Sequence, residues 1–248
     1  MKINYIKFGT GEKVMLIIPG IGIKPICAAP DPVIEAYRTF TDEFTVYLFD
    51  QRNDLPEKYS IEEMSEDVYA KIEELDLKDI YLYGVSLGGM IAMSLMAKYP
   101  KLIKKLALCS TMYKGNELFD KWHEYAKAKD SYRLVESFMD NVYSKQFNEK
   151  FKEATLVAFK DISDDEFNRF AILDQALIRC DLSDDLDRIK DRDILFIGSK
   201  IDKVFSYEDM KGLCEKLQCA SYFYDEYGHA VYDEAADIKE RIKDYYLS

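Results

Sequence analysis

Polar and apolar residues alternate from residue 2 to residue 8, and after the Gly9-Thr10-Gly11 turn comes a continuous apolar run, Val14 to Ile18. Alternation of period two predicts a half-buried strand over 2–8, and the unbroken run predicts a fully buried strand over 13–18. A glycine-rich loop, Pro19-Gly20-Ile21-Gly22, follows. Asp31 before Pro32 predicts an N-cap and a first-turn proline, opening a helix to about Phe40. The next apolar run predicts a strand from Phe44 to Phe49, ending at Asp50. Ser60-Ile61-Glu62-Glu63 is a capping box, in which the serine accepts from the backbone three residues on and Glu63 reaches back, so a helix should run to about Leu75. Ile80 to Val85 predicts a third buried strand, and Leu87 to Lys98 an apolar-faced helix stopped by Pro100. Further strands are expected at Leu106–Ser110, Ile194–Gly198 and Ala220–Asp225, with helices at about 207–217 and 233–246.

Strands that alternate with helices predict an α/β fold, a mostly parallel twisted sheet of seven or eight strands covered by helices on both faces. The alternation breaks between Met112 and Arg188. That stretch is strand-poor, carries charged and aromatic residues at helical spacing, and has neither Gly nor Pro between Asn116 and Asp193. It is expected to be an insertion of four or so helices over 112–188, dividing a core made of residues 1–111 and 189–248.

The 248 residues, 48% of them hydrophobic, suffice for one sizeable core. Basic residues number 34 and acidic residues 46, a formal charge of −12. That is the wrong sign for broad contact with phosphate backbones, so no nucleic-acid partner is expected. The N-terminus, MKINYIKFGTGEK, lacks the apolar core of a secretory signal. The longest apolar stretches, Val14–Ile18 and Met90–Met93, fall far short of the roughly 20 residues that cross a bilayer. A soluble, cytoplasmic chain without a membrane partner is therefore expected, its oligomeric state open. Five cysteines, Cys27, Cys109, Cys180, Cys214 and Cys219, include no metal-like pair and suit buried thiols in a reducing compartment.

Gly84-Val85-Ser86-Leu87-Gly88 is a GxSxG pattern, extended by Gly89, lying between an apolar strand and an apolar helix. A serine on a sharp strand-to-helix turn needs glycines beside it, because side chains there would collide with backbone, and the turn lifts the hydroxyl clear of the sheet. On this motif in this context the sequence resembles the α/β-hydrolase superfamily, over nearly the whole chain apart from the insertion, which such a family member would use as a helical cap over its pocket.

The resemblance implies a triad in the order Ser, acid, His. Ser86 is then the nucleophile. The acid belongs just after the strand that follows the insertion, where Asp202 stands; Asp193 precedes that strand, at the wrong end of a parallel sheet for ligand chemistry. The base belongs after the last strand, where His229 stands. The only other histidine, His123, lies beside Trp122 on a charged helix of the insertion and is read as a packing or solvated residue. The family pattern further implies an oxyanion hole made by the backbone N–H of Leu87 and, by position in the early loop, of Ile21. Here the chain departs from the commoner family form, with Pro19 in place of a histidine; the donor is a backbone group, so the exchange leaves its chemistry available. Asp50-Gln51-Arg52-Asn53 resembles the family's Asp-x-Arg-Gly segment, with asparagine for glycine, and is read as structural.

No cofactor and no metal is expected. The clusters Asp164-Asp165-Glu166 and Asp184-Asp185 each adjoin a serine at a helix start, where carboxylates favour the helix dipole, so they are read as capping residues. Trp122, Tyr125, Phe138 and Phe151 of the insertion are read as packing rather than as pocket lining. The function expected is hydrolysis of a carboxylic ester of a small or medium acyl group through an acyl-enzyme, the substrate being a small molecule. The same triad serves thioester or carbon–carbon bond hydrolysis, and the same scaffold serves cofactor-free oxygenases and perhydrolases. A non-catalytic binding protein is set against these by the presence of all three triad residues.

Overall fold

The computed structural model describes residues 3–248, so the first position of the expected 2–8 strand, Lys2, lies outside the described residues. Seven strands form one sheet in the order β1-β3-β2-β4-β5-β6-β7. They are β1 (Ile3–Phe8), β2 (Lys13–Ile18), β3 (Phe44–Arg52), β4 (Ile80–Val85), β5 (Ile103–Cys109), β6 (Ile194–Ser199) and β7 (Ala220–Tyr224). Only β1, at one edge, runs antiparallel; the other pairings are parallel. β3 outruns the expected Phe49 because its ladder with β1 continues to the pair Ile3 and Arg52.

Helices cover both faces, which is why the inner strands read as unbroken apolar runs rather than as alternations. On β2, Leu16 and Ile18 pack into the core shared with α2 (Ile61–Glu74) and α3 (Leu87–Lys98). Met15 and Ile17 point to the other face, beneath Val33 of α1 (Pro30–Ala36) and Ile238 and Ile242 of α11 (Ile238–Leu247). α3 is apolar all round because it is enclosed, every residue from Leu87 to Ala97 being buried. The expected capping box of α2 is present, Ser60 accepting from Glu63 N and Glu63 from Ser60 N.

Two helices depart from expectation. Asp31 does not cap α1: the helix begins at Pro30, its N-cap Ala29 makes no side-chain bond, and a separate 3-10 turn covers Arg38–Phe40. With prolines at both 30 and 32, neither of which needs an amide partner in a first turn, the start moves back onto the first proline. The helix expected at 207–217 is α9 (Tyr207–Leu217), and the expected 233–246 helix is two, α10 (Val231–Glu234) and α11, separated at the extended residue Ala235. That break lets Val231 and Ile238 reach the same core.

Between β5 and β6 the chain forms five helices: α4 (Glu117–Lys127), α5 (Ser131–Val142), α6 (Lys145–Ala158), α7 (Asp164–Arg179) and α8 (Ser183–Ile189). Ser163 caps α7 reciprocally with Glu166. Ser183 does not cap α8; its hydroxyl donates to Asp181 instead, while Asp184 and Asp185 lie in the first turn. α4 packs on α7 and encloses Asp174 completely. Neither oxygen of that carboxylate has a hydrogen-bond partner among the described residues, and His123 Nδ1, also unpartnered, lies 3.9 Å away. Burial pushes the Asp174 carboxyl up to about 8 and the His123 imidazole down.

Candidate active site

β2 lies between β3 and β4, so the chain crosses from β2 to β3 on one side and returns past β2 from β3 to β4 on the other. The crevice at the carboxyl ends of β2 and β4 is the place where such sheets hold ligands. Ser86 stands there, immediately after β4, as the N-cap of α3 with φ 49° and ψ −116°. A non-glycine residue in that conformation is strained, and its neighbours hold it. Ser86 N donates to Cys109 O at 2.9 Å, prolonging the β4–β5 ladder, and Thr111 Oγ1 donates to Ser86 O at 2.7 Å. Gly88 is demanded by close approach: a Cβ there would lie 2.0 Å from Ile18 O.

His229 Nε2 lies 3.0 Å from Ser86 Oγ, and His229 Nδ1 lies 2.8 Å from Asp202 Oδ2. Three side chains up to 143 positions apart thus form one hydrogen-bonded row. Ser86, Asp202 and His229 are 6%, 8% and 3% exposed, which removes competing water from the row. The other oxygen of Asp202 accepts from the amides of Val204 (2.7 Å) and Phe205 (3.0 Å). These bonds fix the orientation of the carboxylate toward the imidazole. Asp193 sits at the far end of β6, where it accepts from Tyr245.

Ile21 lies in the loop after β2. The adjacent Gly20 abuts the nucleophile, since a Cβ on it would lie 3.2 Å from Ser86 Cβ. Leu87 opens α3, where the first amides have no intrahelical acceptor. Neither Ile21 N nor Leu87 N has a hydrogen-bond partner among the described residues. Against Gly20, Ile21 and Val85, which adjoin Ser86, opens a cavity of about 430 Å³, between the loop after β2, α1 and the helices α5 and α6. Ile21, Ile23, Val135, Phe138, Met139 and Phe159 make much of its wall apolar, and Tyr37, Tyr143, Tyr232, Asp50 and Asp233 add polar groups. Of the four aromatics expected to pack, Phe138 lines this cavity, Trp122 is buried and donates to Ser137, Tyr125 is half-buried against the core, and Phe151 is exposed.

Asp50 and Gln51 reach the cavity while holding the insertion to the sheet. Arg169 of α7 donates to Asp50 Oδ1 at 2.7 Å and to Gln51 Oε1 at 3.0 Å. A second tie joins the histidine loop to the junction of α5 and α6. Glu234 Oε1 accepts from Gly228 N (3.1 Å) and Ser144 N (3.0 Å), its Oε2 accepts from the Ser144 hydroxyl, and Ala230 N donates to Val142 O at 2.8 Å. The contact is so close that a Cβ on Gly228 would lie 2.6 Å from Val142 O. Sequence reading missed Glu234 and Arg169, whose partners in the other part of the molecule, Ser144 and Asp50, lie 90 and 119 positions away. Nothing local marks either of them; Gly228 beside His229 is the one hint of a close approach.

Among the described residues no group of three His, Cys, Asp or Glu side chains is arranged to hold a metal ion, and no helix is long and apolar enough to cross a membrane. Cys109, Cys180 and Cys214 are buried, whereas Cys27 and Cys219 are half-buried.

A sequence model described as alpha/beta hydrolase fold matches residues 13–236. A Haemophilus influenzae protein named "Putative esterase/lipase" is 37% identical over 73 residues, 28% of this chain and 25% of that protein. The chain spans about a third or less of the length of the curated relatives it matches. Among solved structures, an alpha/beta hydrolase enzyme from a Medee basin deep-sea metagenome library superposes with a TM-score of 0.87 at 24% identity, covering 99% of this chain and 94% of the other. An esterase from Exiguobacterium antarcticum gives 0.83 at 21% identity, with 99% and 96% covered. At these identities the two structures share the fold.

Proposed function

The chain belongs to the alpha/beta hydrolase fold family, and from that premise we propose that it is a serine hydrolase that cleaves carboxylic esters of small or medium acyl groups through an acyl-enzyme. The observation that carries this reading is the placement of His229 between Ser86, at 3.0 Å, and Asp202, at 2.8 Å. A free serine hydroxyl is a weak nucleophile. His229 Nε2 takes its proton as Oγ attacks the acyl carbon, and Asp202 accepts from Nδ1–H, fixing the tautomer and stabilising the imidazolium. The carbonyl oxygen, now an oxyanion, is received by the amides of Leu87 and Ile21. His229 returns the proton to the departing alkoxide, and water repeats the sequence on the acyl-serine to release the acid.

The size of the cavity and its apolar wall suit an acyl chain of small or medium length. Residues 112–188 act as its cap, since α5 and α6 supply one side of it. The esterase/lipase name of the Haemophilus protein agrees with the ester bond as target. Five unpaired thiols suit a cytoplasmic setting.

The test is a panel of p-nitrophenyl esters of graded chain length, run beside acyl-CoA thioesters. Turnover of short and medium esters, falling at least about a thousandfold in Ser86→Ala with the fold retained, is the expected outcome. Turnover of thioesters alone would replace the ester reading, and undiminished turnover in Ser86→Ala would end the nucleophile assignment.

A further inference from the structure

We infer that the cavity beside Ser86 is a recognition site for acyl substrates that carry an ammonium group, with Asp233 as the residue that receives the cation. The inference rests on the acyl-enzyme reading above and adds the class of substrate to it.

Two carboxylates line the cavity, and only one has bonding capacity to spare. Asp50 is fully engaged: its Oδ1 accepts from Arg169 and from Gln51 N, and its Oδ2 from Cys27 N. Asp233 has a single long contact, the Tyr143 hydroxyl at 3.4 Å, and no cation within ion-pair distance among the described residues. Lys239 acts on Asp233 by charge from beyond ion-pair distance, its ammonium donating to the carbonyl of Tyr232. Asp233 lines the cavity and is open to solvent on that side, while the protein packed around it pushes its carboxyl up to about 6. A side chain that solvent reaches while protein surrounds it faces a cavity rather than open water.

An ionised carboxylate in that position lacks much of its hydration, so a cation placed against it gains more than it would at an open surface. Tyr37, Tyr143 and Tyr232 share the cavity with it, and ring faces attract an ammonium group through their quadrupoles. A carboxylate-bearing substrate would meet repulsion from Asp233, and an alkyl chain would gain nothing from it. The one lysine of the cavity wall, Lys24, has its ammonium 5.2 Å from the Phe159 ring centroid. The net charge of −12 draws cations toward the protein at long range.

Two p-nitrophenyl esters of equal chain length, 6-aminohexanoate and heptanoate, test the inference by the ratio of their kcat/KM values. The ratio is expected to favour the ammonium ester by about tenfold in the unaltered protein, to fall toward one in Asp233→Asn, and to recover in part in Asp233→Glu. Asp233→Ser replaces the asparagine variant if that one does not fold. A ratio near one in the unaltered protein, or a ratio that the asparagine or serine variant leaves unchanged, overturns the inference. If neither ester is turned over, the ester reading fails, and thermal stabilisation by hexylammonium chloride compared with hexan-1-ol decides the site on its own. A larger shift with the ammonium compound, lost in Asp233→Asn, supports the site; equal shifts overturn it.

Discussion

The carboxyl edge of the sheet and the helical insertion above it are built on different terms. At the edge, Ser86 is held through its own amide and carbonyl, Asp202 through its amide and carboxylate, and His229 through its neighbours Gly228 and Ala230, and α3 behind them is buried from Leu87 to Ala97. In the insertion, α6 has no buried residue, and α7 encloses a carboxylate without a partner. The groups that would form and break bonds are held rigidly. The cavity walls, which on the proposed reading would choose the substrate, are less deeply buried, with Arg169 and Glu234 as ties between the two parts.

The largest expected effect belongs to the edge. Asp202→Asn keeps the shape of the row but favours the wrong histidine tautomer, so kcat should fall by about three to four orders of magnitude while far-UV circular dichroism is retained. A loss of tenfold or less would mean that the edge is less exacting than its geometry. Breaking the Arg169 tie should cost stability rather than chemistry. Arg169→Met leaves Asp50 buried without its cation, and urea unfolding should show a loss of about 3 kcal/mol.

Much of the edge was legible in the sequence because its determinants are local. The apolar runs that become β2, β4 and β6 name the buried strands, the Gly84-to-Gly88 pattern names the strained turn, and the triad order implied by the family resemblance then points to Asp202 and His229, which the fold brings into one row with Ser86. Glu234 and Arg169 were illegible because their meaning lies in partners distant along the chain. The cavity wall was illegible for another reason: Phe138, which lines it, and Trp122, which is buried, have the same helical spacing, and only packing separates them. The break at Ala235 likewise depends on which core Val231 and Ile238 share.

Within the insertion, Asp174 should make stability depend on pH. Its folded carboxyl keeps a proton up to about 8, against an ordinary value of 3.8. Between those values the folded chain binds more protons than the unfolded chain, so stability falls as pH rises from about 4 to 8 and levels off above. Asp174→Asn should remove that slope, matching the unaltered protein near pH 4 and exceeding it by at least about 2 kcal/mol near pH 8. Urea unfolding across that range checks it, and the mutant losing stability at pH 8 would contradict it.

The smallest effect should come from the tie between the two parts. Glu234→Ala frees Gly228 N and Ser144 from a shared acceptor, so kcat should fall by about tenfold with little change in KM, because the base and not the pocket is displaced. Glu234→Gln retains an acceptor oxygen and should recover most of the rate. A change in KM alone would assign Glu234 to the pocket.

The central claim is that Ser86 is made nucleophilic by His229 in a row completed by Asp202. Labelling with a fluorophosphonate, followed by peptide mapping, tests it most directly. One adduct, on Ser86, forming quickly in the unaltered protein, at least about a hundredfold more slowly in His229→Ala and not at all in Ser86→Ala, is the expected result. An adduct on another residue, or labelling of Ser86 at an undiminished rate without the imidazole, would contradict it.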